Sequence, residues 1–232
     1  MRHHALFSAA FVAVCAMSLG SPVPTASAQA APAAATTPEA KAVADRVQAF
    51  YDQTRTFQAD FSQHYVIRVH QDSPKDSKGR VVFQKPGKMS WKYDQPNGNR
   101  VVSDGQELKV YEQENQQVFV QQVQKSQFPA ALSFLMGQGQ LTSSFTLRLL
   151  NARDMHFESG FVLEGVPTAP TPAYQKVLLY VDGDTAQVRR VLILDAQGNK
   201  NRFDFENAVV NTPVPASEFT FTPPAGTQIV KP

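Results

Sequence analysis

The chain has 232 residues, 22 Lys+Arg against 20 Asp+Glu, and a single cysteine. A balance this close to neutral provides no long-range field for nucleic acid or for an anionic membrane surface. One cysteine excludes a disulfide framework and a cysteine-rich metal site.

Residues 1–28 read as a secretory signal peptide. Arg2 and two histidines form a basic start, Ala5 to Leu19 is small, apolar and uncharged, and Ala26-Ser27-Ala28 is an A-x-A cleavage site. The mature protein is expected to begin at Gln29 and to contain no cysteine. It retains roughly 200 residues, enough for a core of its own. Cys15 raises the alternative of a lipid anchor. Val14 before it is not the small residue such a signal uses, and only about ten apolar or small residues precede it. A soluble exported protein is therefore expected, since no later apolar run approaches the ~20 residues of a membrane span.

Residues 29–37 form a low-complexity linker, and the domain is expected to occupy 38–232. Thr37-Pro38-Glu39 predicts a helix start: a capping hydroxyl, a proline at the first helical position and an acid facing the dipole. Ala40, Val43, Ala44, Val47, Phe50 and Tyr51 then share one face. Next the period falls to two. Phe57, Ala59, Phe61, Tyr65, Ile67 and Val69 alternate with polar residues, which predicts one long strand from 57 to 70.

Further strands are predicted at 79–85, 88–94, 99–103, 106–113 and 116–123. Lys85-Pro86-Gly87, Pro96-Asn97-Gly98, Asp104-Gly105 and Glu114-Asn115 provide their turns. Residues 127–137 break the pattern, because Phe128, Leu132, Leu135 and Met136 repeat at helical spacing. Strands resume at 144–150, 160–166, 174–182, 187–195 and 200–210. The expected fold is mainly β: one large, curled antiparallel sheet of about 11 strands with helices over its apolar face.

Catalytic signals are lacking. His64 and His70 would lie roughly 20 Å apart on one strand, too far to share a metal. There is no G-x-S-x-G, H-E-x-x-H or phosphate-binding loop, and Asp182-x-Asp184 reads as a turn. No enzyme, cofactor or metal is expected. The concentrated feature is apolar: Phe83, Met89, Trp91 and Tyr93 at strand spacing, and Leu132, Leu135 and Met136 on the second helix. Core and cavity lining use the same residue types, so composition leaves both readings open.

Four segments taken in order resemble the periplasmic outer-membrane lipoprotein carrier family, LolA. They are Phe57-Gln58-Ala59-Asp60-Phe61-Ser62-Gln63, Phe83-Gln84-Lys85-Pro86-Gly87-Lys88-Met89-Ser90-Trp91-Lys92-Tyr93, Val101-Val102-Ser103-Asp104-Gly105-Gln106-Glu107-Leu108-Lys109-Val110-Tyr111, and Phe219-Thr220-Phe221-Thr222-Pro223-Pro224-Ala225-Gly226. The resemblance spans roughly residues 38–230. It implies an unclosed antiparallel β-barrel with a helical lid over a hydrophobic cavity. It also implies a monomeric periplasmic carrier of triacylated lipoproteins. Cargo would come from an inner-membrane lipoprotein-releasing ABC transporter and pass to an outer-membrane lipoprotein acceptor.

The acyl-chain lining so implied is Phe83, Met89, Trp91, Tyr93, Leu132, Leu135 and Met136. Lys85 stands where many members have an arginine that engages the lid, and it is assigned lid and release control. It keeps the charge but lacks the planar fork. Two neighbouring readings are a lipid or glycolipid carrier or sensor of similar shape, and an anchored acceptor lipoprotein.

Overall fold

The computed structural model describes residues 35–70, 73–123 and 139–231. The signal peptide, most of the linker and the helix predicted at 127–137 lie outside them. The described elements are α1 (Pro38–Gln53), β1 (Thr56–Val66), β2 (Lys75–Gln84), β3 (Lys88–Gln95), β4 (Arg100–Asp104), β5 (Glu107–Glu112), β6 (Gln117–Gln122), β7 (Phe145–Leu150), β8 (Gly160–Pro167), β9 (Lys176–Asp182), β10 (Val188–Leu194), β11 (Lys200–Val210) and β12 (Gln228–Val230). A single helical turn, Leu141–Ser144, precedes β7.

All twelve strands join one unclosed sheet in the order β12-β6-β5-β4-β3-β2-β1-β11-β10-β9-β8-β7. Two meanders, β1–β6 and β7–β11, are fused by antiparallel pairing of β1 with β11. Short turns produce the meanders. At Asp104-Gly105 the Asp104 carboxylate accepts the backbone N–H groups of Gln106 and Glu107, both at 2.8 Å. At Asp182-Gly183 it is the Asp182 carboxylate that accepts Thr185 N–H at 2.9 Å and the Thr185 hydroxyl at 2.8 Å.

The helix start follows the sequence. Thr37 Oγ1 accepts Ala40 N–H at 3.3 Å, and Ala40, Val43, Ala44, Val47 and Tyr51 are buried. The first strand is shorter than predicted. β1 ends at Val66, and Arg68–His70 form a 3-10 turn that leaves Val69 79% exposed. The alternation continues through Ile67 and Val69, but the partners stop: Tyr65 pairs with Lys75, the first residue of β2, and Val66 with Lys200, the first of β11. Arg68 N–H donates instead to Asn199 Oδ1 at 2.9 Å. His64 and His70 therefore do not share a strand, and His64 Nδ1 meets Asp76 Oδ1 at 2.6 Å.

β2 begins four residues before its predicted start, in the polar run Lys75-Asp76-Ser77-Lys78. β12 is the other departure. The chain leaves β11 and crosses the outer face, where Ser90 Oγ donates to Glu218 Oε1 at 2.7 Å and Tyr111 packs on Phe221. It then adds β12 in parallel to β6, the one non-antiparallel pair of the sheet.

The sheet curls tightly. Trp91 on β3 and Phe203 on β11 are separated by two intervening strands, which in a flat sheet is about 14 Å. Their ring centroids are 5.2 Å apart. Such curvature requires close backbone approach at Gly79, beside an irregularity in the β2·β3 register. A Cβ there would lie 1.9 Å from the Lys92 carbonyl oxygen and 2.9 Å from the Phe61 ring. Gly79→Ala is expected to cost about 1–3 kcal/mol, measured as a lower urea midpoint with an unchanged m-value.

On the outer face of the other meander, Glu164 of β8 accepts from Arg148 Nη2 of β7 at 2.8 Å and from Lys176 Nζ of β9 at 2.9 Å. Burial opposes its ionisation, but the hydrogen bonds from Lys176 and Arg148 outweigh it and hold its pKa below the usual carboxylate value. A depressed carboxylate stabilises the fold above its unfolded pKa of ~4.3, and the contribution is lost as pH falls through the folded pKa. Glu164→Gln should therefore cost on the order of 1 kcal/mol at pH 7, the arginine partner being solvated. Urea titrations at pH 7 and pH 3 test this: the wild-type advantage should be smaller at pH 3 than at pH 7.

Candidate functional site: an apolar inner face under a helix

Strand pairing assembles the inner face from residues far apart in sequence. Phe119, Val110, Val101, Trp91, Val81 and Ala59 stand opposite one another in turn across β6 to β1. A second row, Leu149, Leu163, Leu179, Val191 and Phe203, crosses β7 to β11. Because side chains alternate along a strand, both rows face the same interior. Together with the buried face of α1 they form one continuous apolar cluster.

Four predicted lining residues are brought together here. Phe83 and Met89 are opposite each other in the β2·β3 register, and Trp91 faces Val81. Trp91 is 0% exposed, Phe83 and Met89 are each 1%, and Tyr93 is 9%. Burial raises the pKa of the Tyr93 hydroxyl above the ordinary phenol value. Leu132, Leu135 and Met136 lie outside the described residues.

The sequence reading did not single out the partners that complete the cluster. Trp91 meets Phe61 at 5.1 Å, Phe83 at 6.0 Å, Phe203 at 5.2 Å and Phe205 at 6.2 Å between ring centroids. Phe61 also meets Tyr93 edge-on at 5.1 Å. Phe203 and Phe205 carry a period-two signal of their own, but only the β1·β11 register places them beside Trp91.

Lys85 lies just beyond β2, where its N–H donates to the Arg55 carbonyl at 2.9 Å. Its ammonium donates to the Tyr51 carbonyl, so it meets the C-terminal end of α1. The last turn of α1 contains no basic residue of its own. Lys85 brings a cation to the negative end of that helix dipole. Burial lowers the Lys85 pKa, and Asp52 acts in the opposite direction.

Tyr51 ties three parts together. Its carbonyl receives Lys85, its ring packs 6.3 Å from Phe57, and its buried hydroxyl accepts Val188 N–H from β10 at 3.2 Å. Burial holds that hydroxyl un-ionised by raising its pKa. Two more polar contacts hold α1: Arg46 Nη2 donates to the Gly183 carbonyl at 2.7 Å, and Gln48 Oε1 accepts Leu141 N–H at 3.1 Å. The helix thus rests on apolar surface and is fastened at its margins by a few exchangeable hydrogen bonds. The outer face is different in kind. A groove there is charge-balanced, because Arg189 and Arg190 line it together with Asp204 and Glu206, and Asp204 pairs with Arg190.

Fold and site together define a class: an unclosed antiparallel sheet curled around an aromatic interior, with a helix laid over it. Residues 52–222 match the model of the family described as outer membrane lipoprotein carrier protein LolA, and the chain belongs to that family. It is 32% identical over 188 residues to an outer-membrane lipoprotein carrier protein of Bordetella avium, covering 81% of this chain and 86% of that one. It is 30% identical over 187 residues to a protein of the same name from Dechloromonas aromatica, covering 80% and 86%. Among solved structures, an uncharacterized conserved protein from Thermus thermophilus superposes with a TM-score of 0.52 at 15% identity, covering 84% of this chain and 99% of that one. That likeness concerns the fold alone. Among the described residues, no helix is long and apolar enough to cross a membrane.

Proposed function

We propose that this protein is a periplasmic carrier. It receives triacylated lipoproteins released from the inner membrane by an ATP-driven transporter, shields their acyl chains, and passes them to an outer-membrane acceptor. The observation that supports this reading most is the continuous apolar inner face, two cross-strand rows of side chains that converge on Trp91 beneath a helix. Family membership agrees with it.

The physics sets the task. Each methylene in water costs ~0.8 kcal/mol, so one acyl chain is worth on the order of 10 kcal/mol. An apolar face offsets that cost without covalent chemistry. We take the described arrangement, with the aromatic side chains packed on one another, as the closed one. Acyl chains enter as α1 shifts off the sheet, exchanging contacts with Trp91, Phe83, Met89 and Tyr93 for contacts with cargo. Lys85 biases the closed form through Tyr51, so emptying the interior restores a bond that loading breaks. The exported form begins at Gln29, and residues 38–232 act as one carrier domain.

A synthetic triacylated lipopeptide tests this reading. Trp91 is the only tryptophan, so its emission reports on the interior directly. The lipopeptide should shift the emission and saturate near one per protein, while the unacylated peptide should do neither. An emission and a thermal midpoint both indifferent to saturating lipopeptide would reject the reading.

A further inference from the structure

At the strand ends beside Lys85 lies a pocket of about 630 Å³ lined by Arg55, Thr56, Gln84, Lys85, Pro86, Pro213 and Val214. Its frame is fixed by hydrogen bonds. Arg55 N–H donates to Asn211 Oδ1 at 2.7 Å, the Arg55 carbonyl accepts Lys85 N–H at 2.9 Å, and Thr56 Oγ1 donates to the Thr212 carbonyl at 2.7 Å. Thr56 and Gln84 stand opposite each other across β1 and β2.

The charges in it are unbalanced. Among the described residues no acidic side chain lines the pocket, Asp52 acting on Lys85 from α1 outside its lining. Among the described residues the exposed Arg55 guanidinium finds no ion pair or hydrogen bond, unlike Arg46, Arg148, Arg190 and Arg202. Lys85 has one bond, to Tyr51, which leaves two ammonium protons. Opposite these donors stand the apolar Pro86, Pro213 and Val214. Two cations, a side-chain amide and an apolar wall suit an anion that continues into hydrocarbon.

The pocket also adjoins the interior. Its Lys85 donates to the carbonyl of Tyr51, whose ring packs against Phe57, and Phe57 pairs with Phe83 inside the sheet, their tilted rings 6.2 Å apart. We propose that the pocket is a headgroup site for an anionic amphiphile, holding its phosphate or carboxylate between Arg55 and Lys85 while its acyl chain runs inward past Phe57 and Phe83. This rests on the reading of the interior as an acyl-chain site and adds a charge preference to it.

The probes are lysophosphatidylglycerol, lysophosphatidylcholine and palmitate with equal chains, titrated below their micelle concentrations into the mature protein by calorimetry. Lysophosphatidylglycerol should bind about tenfold tighter than lysophosphatidylcholine, and the gap should shrink in 0.5 M salt. Arg55→Gln should close most of the gap by weakening lysophosphatidylglycerol alone, and Arg55→Lys should restore part of it. Arg55 is exposed, so neither change threatens the fold. Palmitate binding as tightly as lysophosphatidylglycerol would support a general anion site. Palmitate binding more weakly would assign the site to phosphate. Equal affinity for the two lysolipids, or a gap untouched by Arg55→Gln, overturns the headgroup site and leaves the carrier reading standing. Failure of both lysolipids to bind overturns the two together.

Discussion

Replacing Trp91 with alanine is expected to cost about 3–5 kcal/mol of unfolding free energy, a large share of the ~5–15 kcal/mol typical of a domain. Trp91 is fully buried and joins both halves of the curled sheet. It touches Phe61 and Phe83 on β1 and β2, and Phe203 and Phe205 on β11. Truncation removes the largest side chain of the cluster and leaves a void edged by four aromatic rings that cannot all collapse into it. Guanidinium denaturation followed by far-UV circular dichroism measures the loss, since the tryptophan signal is gone. Trp91→Phe, which refills most of the volume, should recover the larger part. A loss of under ~1 kcal/mol for Trp91→Ala would mean that the two meanders do not share one core.

Lys85→Leu should slow delivery to an acceptor about tenfold while changing loading less than threefold. Its ammonium bond to Tyr51 connects β2 to α1. A charge-assisted bond is worth ~1.5–3 kcal/mol, and partial exposure of Lys85 favours the lower figure, which corresponds to about tenfold in rate. Loading depends on apolar area, to which leucine adds. Closure over the emptied interior depends on polar fastening, which leucine removes. Lys85→Arg keeps a cation at the end of α1 and should keep delivery near the wild-type rate. A transfer assay with purified carrier and acceptor, scoring loading and release separately, decides the point. Equal release by wild type and Lys85→Leu would reduce Lys85 to a structural cap of α1.

The parts of the fold that were legible in the sequence are those whose signal is local. Thr37-Pro38-Glu39 marks a helix start because capping and dipole complementarity act within one turn. Alternation marks strands, and Asp104-Gly105 marks a hairpin because the aspartate bonds its own neighbours. The readings that missed are those where a distant segment decides. Ile67-Arg68-Val69-His70 alternates like a strand, yet β2 and β11 offer nothing to pair with it. Lys75-Asp76-Ser77-Lys78 looks like a loop because no residue in it is apolar, yet β1 pairs with all four. Gln228-Ile229-Val230 becomes a strand only because the preceding segment carries it across the outer face to β6.

The site divides in the same way. Phe83, Met89, Trp91 and Tyr93 were legible as one face. Their convergence with Phe203 and Phe205 needed the β1·β11 register. The partner of Lys85 is a backbone carbonyl, which has no side-chain signature. Only the absence of a basic residue from the last turn of α1 hinted at it. Arg55 had no pattern around it, and its interest arises from the pocket that Pro213 and Val214 complete from the other end of the chain.

Release of newly acylated lipoprotein from spheroplasts tests the central claim most directly. Purified mature protein is added to spheroplasts of its own host, and the soluble fraction is examined by native mass spectrometry. The account predicts a soluble complex of one carrier with one triacylated lipoprotein, formed only with the acylated cargo. Lipoprotein that stays wholly in the membrane fraction under saturating wild-type protein would contradict it.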